Sequence, residues 1–133
     1  MPSVELEIPA RSVYVGVVRL ALASLARGAG LDEEKVDDLK IAVSEACATA
    51  VLLNEADEAP GPIGIRWNDN GATVQVEITD RGSRPVDPID AGDSLSFSSR
   101  AMMSEALLRT LVDDYQSTAD AEGGTTTLLT INR

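Results

Sequence analysis

Three short segments of the sequence carry side chains whose types and spacing suit ligand binding. The first contains Glu45 and Thr49, which lie four residues apart in a stretch with helical spacing. Residues at this spacing project from the same side of a helix, so the two polar groups could line a groove. A solvated helix face would show the same spacing. This pattern alone therefore leaves both interpretations open.

The other two segments lie at the ends of predicted strands. Asp80 and Gly82 stand where a strand opens into a loop, so the carboxylate could accept a hydrogen bond from a ligand amine while the glycine allows close approach of the backbone. Gly123, Gly124, Thr125 and Thr126 form a turn into the last strand, and the two threonine hydroxyls could reach a ligand. Each segment also fits an ordinary turn, so neither identifies a site by itself.

The composition excludes several classes of chemistry. The 133 residues fit one domain, residues 1–133. They include no histidine, which excludes His-based catalytic triads, HExxH zinc sites and a phosphorylated histidine. Cys47 is the only cysteine, so no internal disulfide or CxxC cluster can form, as is typical of a reducing compartment. We expect a cytoplasmic protein, since no stretch of the sequence approaches the about 18 apolar residues of a membrane span.

The charge of the chain bears on its partners. Lys and Arg number 11 and Asp and Glu number 22, which gives a formal net charge of -11. Such a charge repels phosphate backbones, so we expect no direct binding of nucleic acid. It is compatible with binding a basic protein partner.

The hydrophobic periodicity predicts the elements that position the three segments. Alternating apolar residues predict strands over residues 4–8, 63–67 and 74–78. Residues 115–118 and 125–131 can pair as a second hairpin across a turn at residues 120–124. Helical spacing predicts helices over about residues 12–28, 32–53 and 99–112, the second with Asp32 as its N-cap. Aromatic residues make up only 3% of the chain, so the core must be aliphatic. The expected fold class is α+β, a two-layer sandwich with about five strands in one sheet and three helices on one face.

Taken together and in this order, these segments resemble the RsbW/SpoIIAB-type anti-sigma factors. Those single-domain serine kinases share the GHKL (Bergerat) nucleotide-binding fold with histidine-kinase catalytic domains, gyrase and Hsp90. The resemblance covers about residues 6–130. Residues 41–46 resemble the hallmark helix of the family, residues 80–82 its adenine-binding DxG box, and residues 111–114 and 124–126 its closing helix and last strand.

The resemblance implies a set of functional residues and cofactors. It implies Glu45 as general base, and ATP with Mg²⁺ as cofactors. The residues that would contact the nucleotide are Thr49, Asp80, Gly82 and Thr126, of which Thr49 would also be the metal ligand.

The chain departs from the family pattern at three places. Thr49 replaces the asparagine that holds Mg²⁺, and Arg84 replaces the second glycine of the adenine box. The phosphate-binding glycine motif should fall near Met102, Met103 and Ser104, but residues 94–121 contain no glycine. We expect the methionine side chains to fill the pocket, and weak or absent binding of ATP and Mg²⁺. Whether the chain is an active enzyme is therefore uncertain from its sequence.

Three functions follow from the resemblance. The first is an anti-sigma factor, acting as a homodimer, that sequesters an RNA polymerase sigma factor and is released by a STAS-domain anti-anti-sigma protein. Arg19 occupies the position of a family arginine that contacts such partners. The alternative is an active ATP-dependent serine kinase of the STAS-domain antagonist. A detached histidine-kinase catalytic domain ranks last, because the chain has neither dimerisation helices nor a histidine to phosphorylate.

Overall fold

The computed structural model describes residues 3–54, 61–80, 94–119 and 124–133 of the chain. Its elements in chain order are β1 (Ser3–Ile8), a short 3-10 turn (Ser12–Tyr14), α1 (Val15–Gly28), α2 (Glu33–Asn54), β2 (Ile63–Asp69), β3 (Thr73–Asp80), α3 (Ser94–Leu111), β4 (Asp114–Ala119) and β5 (Thr125–Asn132). The strands form one antiparallel sheet in the order β1-β2-β3-β5-β4. The expected α+β fold with five strands and three helices is confirmed.

The turn between β2 and β3 has the local chemistry that its sequence predicts. Asn70 Oδ1 accepts hydrogen bonds from the backbone N–H groups of Ala72 and Thr73, at 2.9 and 2.7 Å. Gly71 between them has a φ of 90°, in the left-handed region where glycine is favoured. This turn sets the register in which Trp67 pairs with Val76, and so places the buried residues of both strands on one face.

Helix α2 is the central element of the helical layer. Asp32 caps its start, with Oδ1 accepting from the backbone N–H of Lys35 at 2.9 Å, as the sequence predicts. The helix contacts α1 and α3 on its two sides and β2 and β3 beneath it. Because it bridges both neighbouring helices and the sheet, its small polar side chains lie where a ligand site could form.

The core lies between the helices and one face of the sheet. β2 and β3 bury alternate side chains there, β5 adds two buried residues near its end, and the helices add an aliphatic stripe. The largest contributions come from Leu22, Val36, Leu39, Val43, Ile63, Ile65, Trp67, Val74, Val76, Ile78, Leu129 and Ile131. Full burial of such a side chain contributes about 1.5–3 kcal/mol. Apart from Trp67, the buried hydrophobic residues in the described part of the chain are aliphatic or small, as expected.

Helix α3 begins earlier than its sequence predicts. It starts at Ser94 rather than near residue 99. The first turns are rich in serine and show no apolar periodicity, but they contain no glycine or proline to break a helix. Within the described ranges, no helix is both long and apolar enough to cross a membrane.

Candidate functional site

A cavity opens between α2, α3 and the core face of the sheet, near the end of β3. Its volume is about 490 Å³. Ala46 and Ala50 of α2, Ile78 of β3 and Leu108 of α3 form its apolar walls. The two alanines leave space between α2 and the sheet that larger side chains would fill. A cavity of this size and lining suits a small organic ligand.

Asp80 and Asn54 form a buried polar pair at this cavity. Asp80 ends β3, lines the cavity and is 2% exposed, while Asn54 ends α2 and is 0% exposed. Asn54 Nδ2 donates to Asp80 Oδ1 at 3.0 Å and to the carbonyl oxygen of Ala50 at 2.8 Å. The sequence analysis predicted Asp80 as a ligand-binding residue but missed Asn54, because asparagine is typical of loops and the helix was predicted to end at residue 53. The signal was available: Asn54 continues the buried stripe of Val43, Cys47 and Ala50 at a spacing of four and three residues.

Thr49 also lines the cavity, but it faces another hydroxyl. Its Oγ1 lies 3.3 Å from Ser104 Oγ of α3, and either hydroxyl could donate. Glu45, one helical turn earlier, is half-buried and is not among the residues that line the cavity. The structure thus brings Thr49 together with Asp80, as the resemblance implies, and leaves Glu45 outside the cavity wall.

The threonines of β5 are divided between the two faces of the sheet. Thr125 and Thr127 line the cavity, and they share their face with the buried Leu129. Successive side chains of a strand point to opposite faces, so Thr126 lies on the other face. Thr126 is therefore not among the described residues that line this cavity, whereas its neighbours Thr125 and Thr127 are. Its contact with a nucleotide stays a prediction.

The segment expected to carry the phosphate-binding glycines is helical. Met102 and Met103 are 71% and 72% exposed, so the expectation that they fill the pocket is wrong. Because α3 runs unbroken from Ser94 to Leu111, residues 102–104 lie inside the helix, where backbone N–H groups are bonded to the preceding turn. Ser104 turns inward instead and lines the cavity. The N–H groups of this segment are therefore not available to a phosphate.

The side chain of Arg109 places a positive charge at the side of the cavity nearest β4. Arg109 donates from Nε and from its terminal nitrogen to Glu105 Oε1, at 3.1 and 2.8 Å. Its guanidinium carbon also lies 5.2 Å from the centre of the Tyr115 ring. All three side chains line the cavity. Glu105 and Arg109 share one face of α3 at a spacing of four residues, but no local pattern links them to Tyr115 of β4 or to a cavity.

Two other predicted residues lie apart from the cavity. Arg19 is exposed on α1, close in sequence to the exposed apolar residues Val17 and Leu20. Gly82, Arg84 and Gly123 lie outside the described residues.

The donor set of the described residues does not fit a magnesium site of the usual kind. Mg²⁺ takes six oxygens, usually from carboxylates, water and phosphates. Thr49 offers one hydroxyl, which is already shared with Ser104. In the described part of the chain, no group of three or more His, Cys, Asp and Glu side chains could hold a metal ion.

Cys47 lies on α2 between the residues that line the cavity, but its side chain packs into the core. Burial raises the pKa of its thiol to about 12. A thiol with such a pKa is almost entirely protonated at neutral pH and is a poor nucleophile. Cys47 is therefore a packing residue.

The fold and the cavity define a class of protein. The model of the histidine kinase-like ATPase domain matches residues 8–131, and the chain belongs to this family. Within the family it is similar to the serine-protein kinase RsbW. It is 32% identical to that of Bacillus velezensis over 138 residues (96% of this chain, 83% of the relative). It is 31% identical to that of Bacillus subtilis over 124 residues (85% of this chain, 76% of the relative).

A solved structure has the same fold. This is the crystal structure of the RsbU and RsbW domains of Rv1364c from Mycobacterium tuberculosis, with a TM-score of 0.75 and 22% sequence identity. The match covers 100% of this chain and 33% of that one. The resemblance to RsbW-type proteins that the sequence suggested is thereby confirmed.

Proposed function

We propose that this protein is an anti-sigma factor of the RsbW type. It binds an RNA polymerase sigma factor, keeps it from the polymerase, and releases it when a STAS-domain anti-anti-sigma protein takes its place. Family membership over residues 8–131 and the similarity to RsbW along most of the chain carry this proposal. It acts in the cytoplasm, as a homodimer.

The outer side of α1 is the proposed contact surface for both partners. Val13, Val17 and Leu20 are spaced four and three residues apart and are 74%, 52% and 68% exposed. Arg19 lies beside them and is exposed. Such a patch buries apolar area against a partner, while an arginine can form a bidentate contact with a partner carboxylate. The net charge of -11 complements the basic, DNA-reading surface of a sigma factor.

We infer that the cavity corresponds to the nucleotide site of the family and that only its adenine end is intact. Asp80 lies at the end that would take an adenine, with Ile78 as an apolar wall. The other end has the Thr49–Ser104 contact and a continuous helix in place of the asparagine and the glycine motif. Phosphoryl transfer depends on positioning of phosphates and metal. We therefore propose that ATP binds weakly and that release of the sigma factor depends on competition between partners.

The alternative function is an active serine kinase that phosphorylates the STAS-domain antagonist. The relatives named serine-protein kinase RsbW favour it. Glu45 would be its general base, Asp80 and Gly82 would bind adenine, and Thr49 would hold Mg²⁺ in an altered way.

Pairwise binding of purified proteins tests the proposal. Each sigma factor and each STAS-domain protein of the host genome is mixed with this protein and examined by size-exclusion chromatography with light scattering. We expect one sigma factor to form a stable complex that one STAS-domain protein dissolves. Arg19→Glu should weaken at least one of the two complexes. The matched control is Arg66→Glu, which makes the same charge change at an exposed arginine of β2, on the face of the sheet away from the helices.

Two results would decide against the proposal. Failure of every sigma factor to bind would reject the anti-sigma function. Transfer of labelled phosphate from ATP to a STAS-domain protein at rates typical of kinases, roughly 1 s⁻¹ or more, would support the alternative.

A further inference from the structure

Asn54 is a fully buried polar residue whose hydrogen bonds fix its orientation. Its Nδ2 atom faces two hydrogen-bond acceptors, which are the carbonyl oxygen of Ala50 and Oδ1 of Asp80. Only the nitrogen of the amide can face two acceptors, so Oδ1 points the other way, where it is buried and has no hydrogen-bond partner. An apolar side chain at this place would leave no such orphaned atom. The feature of Asn54 that an apolar residue could not supply is its bond to Asp80.

Asp80 is the residue through which Asn54 can affect a ligand. Asp80 lines the cavity, whereas Asn54 lies behind it and does not. The carboxylate sits at the end of β3, where Asp80 pairs with Ile63 of β2 and Thr125 of β5. The donor from α2 holds it in one rotation against these strands. The cavity therefore presents an acceptor of fixed direction at a nearly buried position.

A fixed acceptor distinguishes ligands that place a hydrogen-bond donor opposite it from ligands that place an acceptor there. An amino group donates a hydrogen bond to a carboxylate, whereas a carbonyl oxygen at the same place meets another acceptor and leaves both groups unpaired. Sites built around a buried hydrogen bond discriminate strongly, because the wrong ligand leaves buried polar groups without partners. The discrimination requires the carboxylate to stay in place.

We propose that Asn54 is a positioning residue for base recognition. By holding the Asp80 carboxylate in one rotation, it makes the cavity select 6-aminopurines over 6-oxopurines. The inference rests on the proposed function, in which this cavity takes an adenine nucleotide. It adds the residue that sets the choice of base.

Neutral nucleosides test the base-binding end without any contribution from phosphates. Adenosine, inosine and purine riboside carry an amine, a carbonyl oxygen and a hydrogen atom at position 6, respectively; inosine also carries a hydrogen on N1. Each is titrated to millimolar concentration into the ¹⁵N-labelled full chain, and affinities are taken from NMR shift changes. We expect adenosine to bind at least ~10-fold more tightly than inosine, with purine riboside between them.

Variants of Asn54 then test the positioning role. Asn54→Leu keeps a similar volume and removes the amide, so the ratio of adenosine to inosine affinity should fall below ~3. Asn54→Asp keeps the shape but replaces the donor with an acceptor, and it should lose the same preference. The matched control is Asn68→Leu, at a half-buried residue of β2 whose side chain lies on the opposite face of the sheet; it should keep the wild-type ratio. If the role of Asn54 were purely structural, its replacement would weaken the binding of adenosine and inosine alike and leave the ratio of their affinities unchanged.

The outcomes separate this inference from the proposed function. Equal affinities of the wild-type protein for adenosine and inosine, or an unchanged ratio in a folded Asn54 variant, would overturn the inference. Absence of binding of all three nucleosides to the wild-type protein would overturn it as well. None of these results bears on binding of the sigma factor, which the pairwise assay measures independently. If both variants fail to fold, the wild-type ratio alone can still contradict the proposal.

Discussion

Replacement of Asn54 should destabilise the fold by an amount that depends on what replaces the amide. Asn54→Leu removes the donor from the buried Asp80 Oδ1, and loss of a buried partner costs about 1–3 kcal/mol. The carbonyl oxygen of Ala50 still has the helical N–H of residue 54 as a donor. Removal of the orphaned Oδ1 and burial of leucine offset part of the cost. We expect a net loss of about 1–2 kcal/mol.

Asn54→Asp should cost more than Asn54→Leu at neutral pH. It places a second carboxylate where the amide nitrogen now lies 3.0 Å from Asp80 Oδ1. Two like charges at this buried position oppose each other, and the expected cost is about 3–5 kcal/mol. The expected order of stability is therefore wild type, Asn54→Leu, Asn54→Asp.

Urea unfolding followed by the fluorescence of Trp67 measures this order. Trp67 is buried between the sheet and the helices, so its emission should shift when the core opens. For a chain of this size, a loss of 1 kcal/mol corresponds to about 4 °C in Tm, which a thermal scan can check. The Asn68→Leu protein is the control for the asparagine-to-leucine change. The reasoning would be refuted if Asn54→Leu were as stable as the wild type and Asn54→Asp were no worse.

Three further predictions concern other parts of the chain. Cys47 has a thiol pKa of about 12, so roughly one thiol in 10,000 is ionised at pH 8, and a disulfide reagent should label it only after urea unfolds the protein. The hydrogen bond and the charge of Arg27 lower the pKa of Glu33; the pair therefore stabilises the fold above the unfolded pKa of Glu33 and loses this effect as pH falls through the lower, folded pKa. The Tm of Glu33→Gln should accordingly fall less than that of the wild type between pH 6 and pH 3. An equal fall in both proteins would exclude a role for the pair. Thr49→Asn should place an amide at the position that the resemblance assigns to the metal ligand, and it should raise ATP affinity by ~10-fold in Mg²⁺ but not in EDTA, measured by calorimetry. The matched control Ala48→Asn, at the exposed neighbouring position, should leave the affinity unchanged.

The fold was predictable because its hydrophobic pattern is consistent at short range. The alternation of Ile63, Ile65 and Trp67 and the turn around Gly71 predict a hairpin, and the structure has one with the same buried face. Helix α2 was predictable from its N-cap Asp32 and its apolar stripe. These signals need only neighbouring residues, since a helix or hairpin buries the face that its own periodicity defines.

The site was less predictable because its parts come from distant segments. Asp80 could be singled out by its place after a strand, but its partner Asn54 lies on another element, and no local pattern links the two. The choice between Thr125 and Thr126 depends on the register of β5, which an error of one residue reverses. The exposure of Met102 depends on which face of α3 packs against α2, and the serine-rich start of the helix has no apolar periodicity that would define this face.

The most direct test of partner switching without nucleotide control is the affinity for the cognate sigma factor with and without ATP and Mg²⁺. Calorimetry on the purified pair, once identified, gives both dissociation constants. Partner switching without nucleotide control predicts the same affinity within ~3-fold, and release by the STAS-domain protein in the absence of ATP. A change of ~10-fold or more in the affinity for the sigma factor on adding ATP and Mg²⁺ would contradict partner switching without nucleotide control. A requirement for ATP in the release step would contradict it as well.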